Sequence, residues 1–193
     1  MTAALHNTHT KHTDNASVIG KVELRKMAIR SLKQVNVLDC FAGNNVLWSQ
    51  IQKDKYLGIE KEKGKGKNLY GDNAKLLEKI DLSGFTVIDL DSYGIPAKQI
   101  EQIMNNPTFN PHATVIIYTA ISNSMSALSS TLIRHYEIGK MYKKSKTMFN
   151  ARAHAMFHGY LYSIGVRELT RFELTGTSFK KEYGYFVIDE QKS

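Results

Sequence analysis

Two acids and a glycine lie in and just after strand-like segments of the sequence, at a spacing that could hold a ligand. Residues 35–43 form an apolar, β-branched run that ends in Asp39, Phe41 and Gly43. Such a run indicates a buried parallel strand that breaks into a tight turn, and Gly43 lets the backbone approach a ligand because it has no Cβ. Apolar residues at helical spacing then predict a helix over 46–51. This order is typical of nucleotide-like ligand sites, although an ordinary turn without a ligand would show the same pattern.

The second acid, Glu60, ends the next short apolar run, about 20 residues after Asp39. In nucleotide-binding folds an acid at this spacing lies where the ribose hydroxyls bind. The glycine pattern that holds a dinucleotide pyrophosphate is absent from the sequence. A ligand with a ribose and no phosphate therefore fits better, and S-adenosyl-L-methionine (SAM) is the common one.

Residues 39–43, Asp-Cys-Phe-Ala-Gly, are similar to the first motif of class I SAM-dependent methyltransferases. The form D-x-F-x-G is common among those that methylate amino groups of nucleic acids. Asn45 stands where a second glycine often follows. The resemblance implies a SAM site made by this motif and Glu60, with Asp72 and Asn73 on the adenine side. For Asp72 the alternative is the N-cap of the helix that follows.

A second segment, residues 89–96, has the sequence Asp-Leu-Asp-Ser-Tyr-Gly-Ile-Pro and follows another buried, strand-like run. It resembles the D-x-D-P-[FY]-G-S-P motif of the tRNA guanine-N2 dimethyltransferase family, from which Ser92 and Ile95 depart. The resemblance implies methylation of an amine. That reaction needs an acceptor that holds the amine in line and stabilises the positive charge developing on nitrogen.

Asp91 and Tyr93 are the candidate catalytic residues of this segment. The Asp91 carboxylate would accept from the target amine, and the Tyr93 ring would stack on the base that carries it. Asp89 is a further candidate for cofactor binding, and its alternative role is to shape the end of the strand. An ordinary acidic turn remains the alternative for the whole segment.

The elements that must position these residues indicate an α/β fold. Their order predicts a single-domain, Rossmann-like class I methyltransferase sheet, mostly parallel with a C-terminal antiparallel strand pair at 167–175 and 183–188. Residues 1–20 are expected to be a flexible polar tail, and residues 21–193 the SAM-dependent methyltransferase domain.

Two further helices are predicted. A basic amphipathic helix covers 22–32, and a long helix covers about 147–164. The long helix carries His154 and His158 one turn apart. Because no third ligand is visible in the sequence, helix-face histidines are favoured there and no metal site is expected.

The composition favours a polyanionic partner. The 193-residue chain has a formal net charge of +8 and a sequence pI near 9.4, which is typical of proteins that bind nucleic acid. The expected contacts are the basic segments 21–33, 61–67 and 134–152. A single cysteine excludes an internal disulfide. With no leader or membrane-spanning run, a cytoplasmic protein without membrane contact is expected.

These patterns together predict a SAM-dependent methyltransferase acting on an amino group. An exocyclic base amine of RNA (tRNA) or DNA is the favoured target. The alternatives are a methyltransferase of a small molecule or protein, and a non-catalytic nucleic-acid-binding protein with a residual SAM fold.

Overall fold

The computed structural model of the protein describes residues 18–63, 69–123, 127–175 and 179–188. Within these ranges seven strands form one sheet with helices on both faces. The strands are β1 (Asn36–Asp39), β2 (Lys55–Glu60), β3 (Leu69–Tyr70), β4 (Val87–Asp91), β5 (Val115–Asn123), β6 (Val166–Thr175) and β7 (Phe179–Ile188). The helices are α1 (Val18–Ile29), α2 (Asn73–Leu77), α3 (Ala97–Met104), α4 (Ser130–His135), α5 (Gly139–Lys144), α6 (Lys146–Ala151) and α7 (Ala153–Ser163).

The sheet has the strand order β3-β2-β1-β4-β5-β7-β6. Strands β1 to β5 pair in parallel, whereas β7 runs antiparallel to both β5 and β6. The mostly parallel sheet with a C-terminal antiparallel pair is thus confirmed. Because the chain continues to β2 on one side of β1 and returns to β4 on the other, the carboxyl ends of β1 and β4 form a topological switch point, where open α/β sheets bind ligands.

Alternation along the strands divides the apolar residues between two cores. On one face, called the α1 face here, Val37 and Val87 pack with Val22 and Leu24 of α1 and with Trp48. On the other face, called the α7 face, the strands pack against helices α2 to α7. Since successive side chains of a strand point to opposite faces, Asp39, Asp89 and Asp91 share the α1 face with Val37 and Val87.

The prediction of a helix over 46–51, directly after β1, is wrong. Only one 3-10 turn, Trp48–Gln50, forms there. Asn45 has a left-handed backbone conformation with φ of 61°, which a regular right-handed helix does not contain. Trp48 is fully buried and its indole N–H donates to Asp89, so the segment is held close to the sheet.

Other helix bounds also differ from the predictions. The long helix over 147–164 is two helices, because Arg152 leaves the helical conformation between α6 and α7. Helix α1 already includes residues 18–20, which the sequence assigned to the polar tail. At 12 residues α1 is well short of the roughly 20 that a membrane span needs. Among the described residues no helix is long and apolar enough to cross a membrane.

Candidate functional site

Three carboxylates lie together where β1 and β4 end. Asp39 and Asp89 are paired positions of the two adjacent parallel strands, and Asp91 follows Asp89 on the same face. Asp39 is 6% exposed and Asp89 is completely buried. Burial, together with the nearby charge of Asp89, raises the pKa of Asp39 to about 7. So much buried negative charge requires a cation close by.

Arg25 of α1 is that cation. Its Nε lies 2.7 Å from Asp89 Oδ2 and its Nη2 lies 3.0 Å from Asp89 Oδ1, a two-pronged contact. Trp48 Nε1 adds a third donor at 2.6 Å from Asp89 Oδ2. Burial raises the pKa of Asp89, and the Arg25 guanidinium opposes that rise. Both oxygens of Asp89 therefore have internal partners, which favours the role of shaping the strand end over direct cofactor contact.

Asp91 has a different set of partners at the edge of the site. Lys21 Nζ lies 2.9 Å from Oδ1 and 2.8 Å from Oδ2, and Thr119 of β5 donates its hydroxyl to Oδ1 at 2.5 Å. Burial works against ionisation, but Arg25 and Lys21 outweigh it and hold the pKa of Asp91 below its usual value. Asp91 is thus an ionised acceptor that holds an ammonium group.

Glu60 and Gly43 meet at the turn after β1. Glu60 Oε2 accepts from the Gly43 amide at 2.9 Å, and Oε1 accepts from the amides of Lys61 and Glu62 at 2.8 and 3.2 Å. Gly43 has φ of +51°, and a Cβ built on it would meet nothing within 4 Å. Within the described ranges, the position that a Cβ would take on Gly43 is therefore unoccupied. A carboxylate has about four acceptor positions, so Glu60 keeps the capacity to accept from one more donor, such as a hydroxyl group.

The two adenine-side candidates differ in position. Asn73 Nδ2 donates to the Cys40 carbonyl oxygen at 3.0 Å, which joins the start of α2 to the turn after β1. Asp72 is exposed and caps α2, because its Oδ1 accepts from the Ala74 amide at 3.0 Å. Phe41 is half-buried and packs against the core of the α7 face. The capping role predicted as the alternative for Asp72 is therefore present.

Asp39 is turned towards internal partners. Its Oδ1 accepts from the Phe41 amide at 3.1 Å and its Oδ2 from the Tyr56 hydroxyl at 2.9 Å. The same hydroxyl lies 2.5 Å from Asn45 Oδ1. Asn45, which stands where a second glycine often follows in the motif, is thus linked to Asp39 through the Tyr56 hydroxyl.

Sequence reasoning missed several residues of this site. Lys21 and Arg25 were expected to form part of a basic surface, yet both point inwards to the acids. Lys21 and Arg25 are one helical turn apart and lie on the side of α1 that carries Val22 and Leu24. This pattern indicates that both face the protein interior. Nothing local pointed to the other missed residues, which are Trp48, Tyr56 and Thr119.

A cavity of about 260 Å³ lies beside Tyr93, where β4 and β5 end. Tyr93 itself is 77% exposed. The Ser92 hydroxyl lies 2.8 Å from the Gly94 carbonyl oxygen and 2.9 Å from that of Thr119, so it ties the turn to β5. The lining residues are Tyr93, Gly94, Ile95, Ile121, Ser122, Ala127, Leu128, Asn150 and Ala153.

The predicted basic segments are partly exposed. In 134–152 the side chains of Lys140, Lys143, Lys144, Lys146 and Arg152 face solvent, and Asn150 of the same segment lines the cavity. In 21–33 the exposed basic residues are Lys26, Arg30 and Lys33. In 61–67 Lys61 and Lys63 are exposed, and residues 64–67 lie outside the described part of the chain.

Comparison with known proteins gives matches in structure but not in sequence. No family model matches the sequence, and no curated protein is significantly similar to it. YhhF of Escherichia coli, a protein assigned to the methyltransferases, is 10% identical over 87% of this chain and 84% of its own, with a TM-score of 0.51. A protein of Haemophilus influenzae assigned as a methylase is 14% identical over 88% of this chain and 89% of its own, also with a TM-score of 0.51.

A third similar structure contains the cofactor. Phosphoethanolamine N-methyltransferase 2 of Haemonchus contortus, solved in complex with SAM, has a TM-score of 0.52 and is 8% identical over 89% of this chain and 53% of its own. At such low identity these similarities concern the fold. The chain has the Rossmann-like fold of class I SAM-dependent methyltransferases.

Proposed function

We propose that this protein is a SAM-dependent methyltransferase acting on an exocyclic amine of a nucleic-acid base. The observation that carries the proposal is that the Asp91 carboxylate binds an ammonium group, that of Lys21, in a sheet of the methyltransferase type. Lys21 Nζ contacts both oxygens of this ionised carboxylate. Tyr93, two residues further along the chain, has an exposed ring and lines the cavity. A carboxylate that holds one N–H donor in this position can hold another.

Gly43, Glu60 and Asn73 would hold the cofactor. Glu60 would receive the ribose hydroxyls, Asn73 would lie on the adenine side, and the open space beside Gly43 would admit the ligand. SAM supplies an activated methyl group, so the protein has to align the reactants rather than activate them. Asp39, with its internal partners, supports the turn rather than contacting the ligand.

Asp91 and Tyr93 would act on the substrate. The lone pair of an exocyclic amine is delocalised into the ring, and a carboxylate that accepts from the amine stabilises the positive charge that develops during transfer. The nitrogen then holds its surplus proton weakly, so a carboxylate with a low pKa suffices to accept it. A cavity of about 260 Å³ lies just below the usual range for ligand pockets, which begins at about 300 Å³, and suits a single base stacked on Tyr93.

The exposed lysines favour nucleic acid as the substrate. Lys143 and Lys144 end α5 and Lys146 begins α6, and all three are exposed. Asn150 of α6 lines the cavity. Cations beside a base-sized cavity suit a phosphate backbone whose base enters that cavity.

A second candidate function is a non-catalytic nucleic-acid-binding protein with a residual SAM fold. Three observations favour it: the helix after β1 is reduced to one 3-10 turn, Asp39 faces Tyr56, and Lys21 covers Asp91. Both candidates predict nucleic-acid binding, and only the first predicts methyl transfer.

The test is transfer of tritium from methyl-labelled SAM to tRNA, duplex DNA and single-stranded DNA. We expect transfer to one of them, and we expect Asp91→Asn to slow single-turnover transfer by about 10²–10³ while calorimetry shows SAM affinity close to wild type. Asp81→Asn, which changes an exposed acid of the loop before β4, is the matched control. A wild-type protein that binds SAM and nucleic acid without transfer would support the second candidate. One that binds nucleic acid but not SAM would contradict the first candidate alone, and one that binds neither would contradict both.

A further inference from the structure

Two histidines of α7 and one glutamate of β7 meet on the α7 face of the sheet. His154 and His158 are one helical turn apart and both point to Glu182. His158 Nε2 lies 2.8 Å from Glu182 Oε1, and His154 Nδ1 lies 3.6 Å from Glu182 Oε2. One nitrogen or oxygen of each side chain lies within 4.8 Å of those of the other two. Glu182 is a third side chain of a type that binds metal ions, and the sequence did not reveal its position beside the histidines.

The cluster contains an unsatisfied polar side chain. His154 is 5% exposed, and neither of its ring nitrogens has a hydrogen-bond partner in the described ranges of the chain. Glu182 is fully buried. Leaving a buried polar group unpaired costs about 1–3 kcal/mol, so buried imidazoles normally have a partner. A ligand that takes the lone pair of His154 would remove this cost.

We propose that His154, His158 and Glu182 bind a divalent metal ion of the Zn²⁺ type. Two imidazoles and one carboxylate are a common protein ligand set for zinc. Ligand atoms at about 2.1 Å from a tetrahedral ion lie about 3.4 Å from each other. His158 Nε2 and His154 Nδ1 lie 2.9 and 3.6 Å from the same oxygen, Glu182 Oε2, on either side of that value. Small side-chain shifts would therefore complete the site.

Neighbouring groups support the ligand geometry. The Tyr118 hydroxyl of β5 donates to Glu182 Oε1 at 2.5 Å, the type of outer contact that orients a metal-binding carboxylate. Gly184 allows this contact, because a Cβ there would lie 2.7 Å from the Tyr118 ring.

Arg171 of β6 is the competing cation. Its Nη1 lies 2.9 Å from Glu182 Oε2 and 2.9 Å from His158 Nε2, and also 3.1 Å from Glu173 Oε1 at the surface. The Arg171 side chain is 38% exposed, so it can turn to Glu173 when a metal ion enters. Removal of its charge should therefore tighten metal binding, whereas an ion-pair network without a metal predicts no response to metal at all.

A metal ion at this site would join α7 to β7. The site lies next to the cavity, because Ala153, which lines the cavity, directly precedes His154. The proposal does not depend on methyl transfer. It concerns a binding site on the α7 face, whereas the three carboxylates Asp39, Asp89 and Asp91 lie on the α1 face.

The test uses the full chain without an affinity tag, stripped with a chelator and titrated with Zn²⁺ by calorimetry. We expect about one equivalent to bind at micromolar concentration or below, with Co²⁺ giving the absorption bands of a tetrahedral site. His158→Gln and His154→Gln should each weaken Zn²⁺ binding at least tenfold, and Arg171→Gln should tighten it about threefold or more. Circular dichroism checks that each variant is folded.

The chain has other histidines that need a control. His6, His9 and His12 lie near the N-terminus, and a variant with all three changed to Ala should bind Zn²⁺ as the wild type does. Absence of stoichiometric Zn²⁺ binding and of the Co²⁺ bands in the wild type would overturn the proposal. Binding that is lost in the N-terminal variant but retained in His158→Gln would overturn it too.

Discussion

At the scale of single residues, the site depends on which partner each carboxylate has. Asp89 is neutralised by a buried arginine, and Asp91 binds a lysine at the edge of the site. Among the described residues, the hydrogen-bond donors to Asp39 are neutral. Three chemically identical side chains therefore differ in charge and availability. In the function proposed above, Asp91 is the one of the three whose partner a substrate amine would replace.

Lys21→Met should expose Asp91 to the substrate. The substrate amine no longer competes with an ammonium group, so we expect the KM for the methyl-accepting nucleic acid to fall by about three- to tenfold, a difference of roughly 1 kcal/mol. Steady-state transfer assays measure this change. Lys26→Met is the matched control, since Lys26 pairs with the exposed Glu23 on the same helix. An unchanged or higher KM in Lys21→Met would show that Lys21 does not occupy the position of the amine.

Asp39 should make stability depend on pH. Its pKa rises from 3.8 to about 7 on folding, so between these values the folded state binds more protons and stability falls as the pH rises. The loss is at most about 4 kcal/mol. Asp39→Asn should abolish it, because the amide can donate to the Tyr56 hydroxyl, which can then donate to Asn45. Thermal unfolding at pH 5 and pH 8 tests this, with Asp81→Asn as control. An equal decrease in Asp39→Asn would assign the pH dependence to another group.

At the scale of elements, helix α1 supplies the cations of a site whose acids come from the strands. It covers one face of the sheet with apolar residues and sends two cations to the end of β4. The 3-10 turn after β1 contributes Trp48 to the same cluster. Helix α1 is therefore part of the architecture of the site rather than a detachable basic arm.

Arg25→Met should destabilise the protein by about 3–5 kcal/mol. The substitution keeps an apolar side chain of similar length but leaves Asp89 buried without its cation. Denaturant unfolding measures the loss. Arg30→Met, at an exposed position just beyond α1, should change the free energy of unfolding by less than about 0.5 kcal/mol. Equal unfolding midpoints for the two variants would mean that Asp89 is not charged in the folded protein.

At the scale of the whole molecule, the positive charge should govern association with nucleic acid. Each lysine that contacts a phosphate releases counterions, so affinity falls steeply with salt. Changing Lys143, Lys144 and Lys146 to Glu should reduce the slope of log K against log salt by about 2 or more, with SAM affinity unchanged. Changing the exposed Lys75, Lys79 and Lys98 to Glu alters the net charge equally and is the matched control. Equal slopes for the two triple variants would exclude a contact surface on α5 and α6.

The sequence by itself determined the sheet. Strand positions, the parallel series and the antiparallel pair follow from apolar runs, alternation and turn residues, which are local patterns. The same patterns identified the ends of β1, β2 and β4 as the places for Asp39, Glu60 and Asp91. Burial of Cys40 follows from its position in the first of these runs.

Only the tertiary structure decided the partners of the charged residues. Arg25 and Asp89 are 64 residues apart in sequence, Lys21 and Asp91 are 70 apart, and His158 and Glu182 are 24 apart. Local periodicity carries no information about such pairs, since a cation on an amphipathic helix has the same spacing whether it faces water or a buried acid. The prediction of a helix over 46–51 was wrong for a related reason. Burial of Trp48 against the sheet and its hydrogen bond to Asp89 stabilise this segment more than a regular helix would.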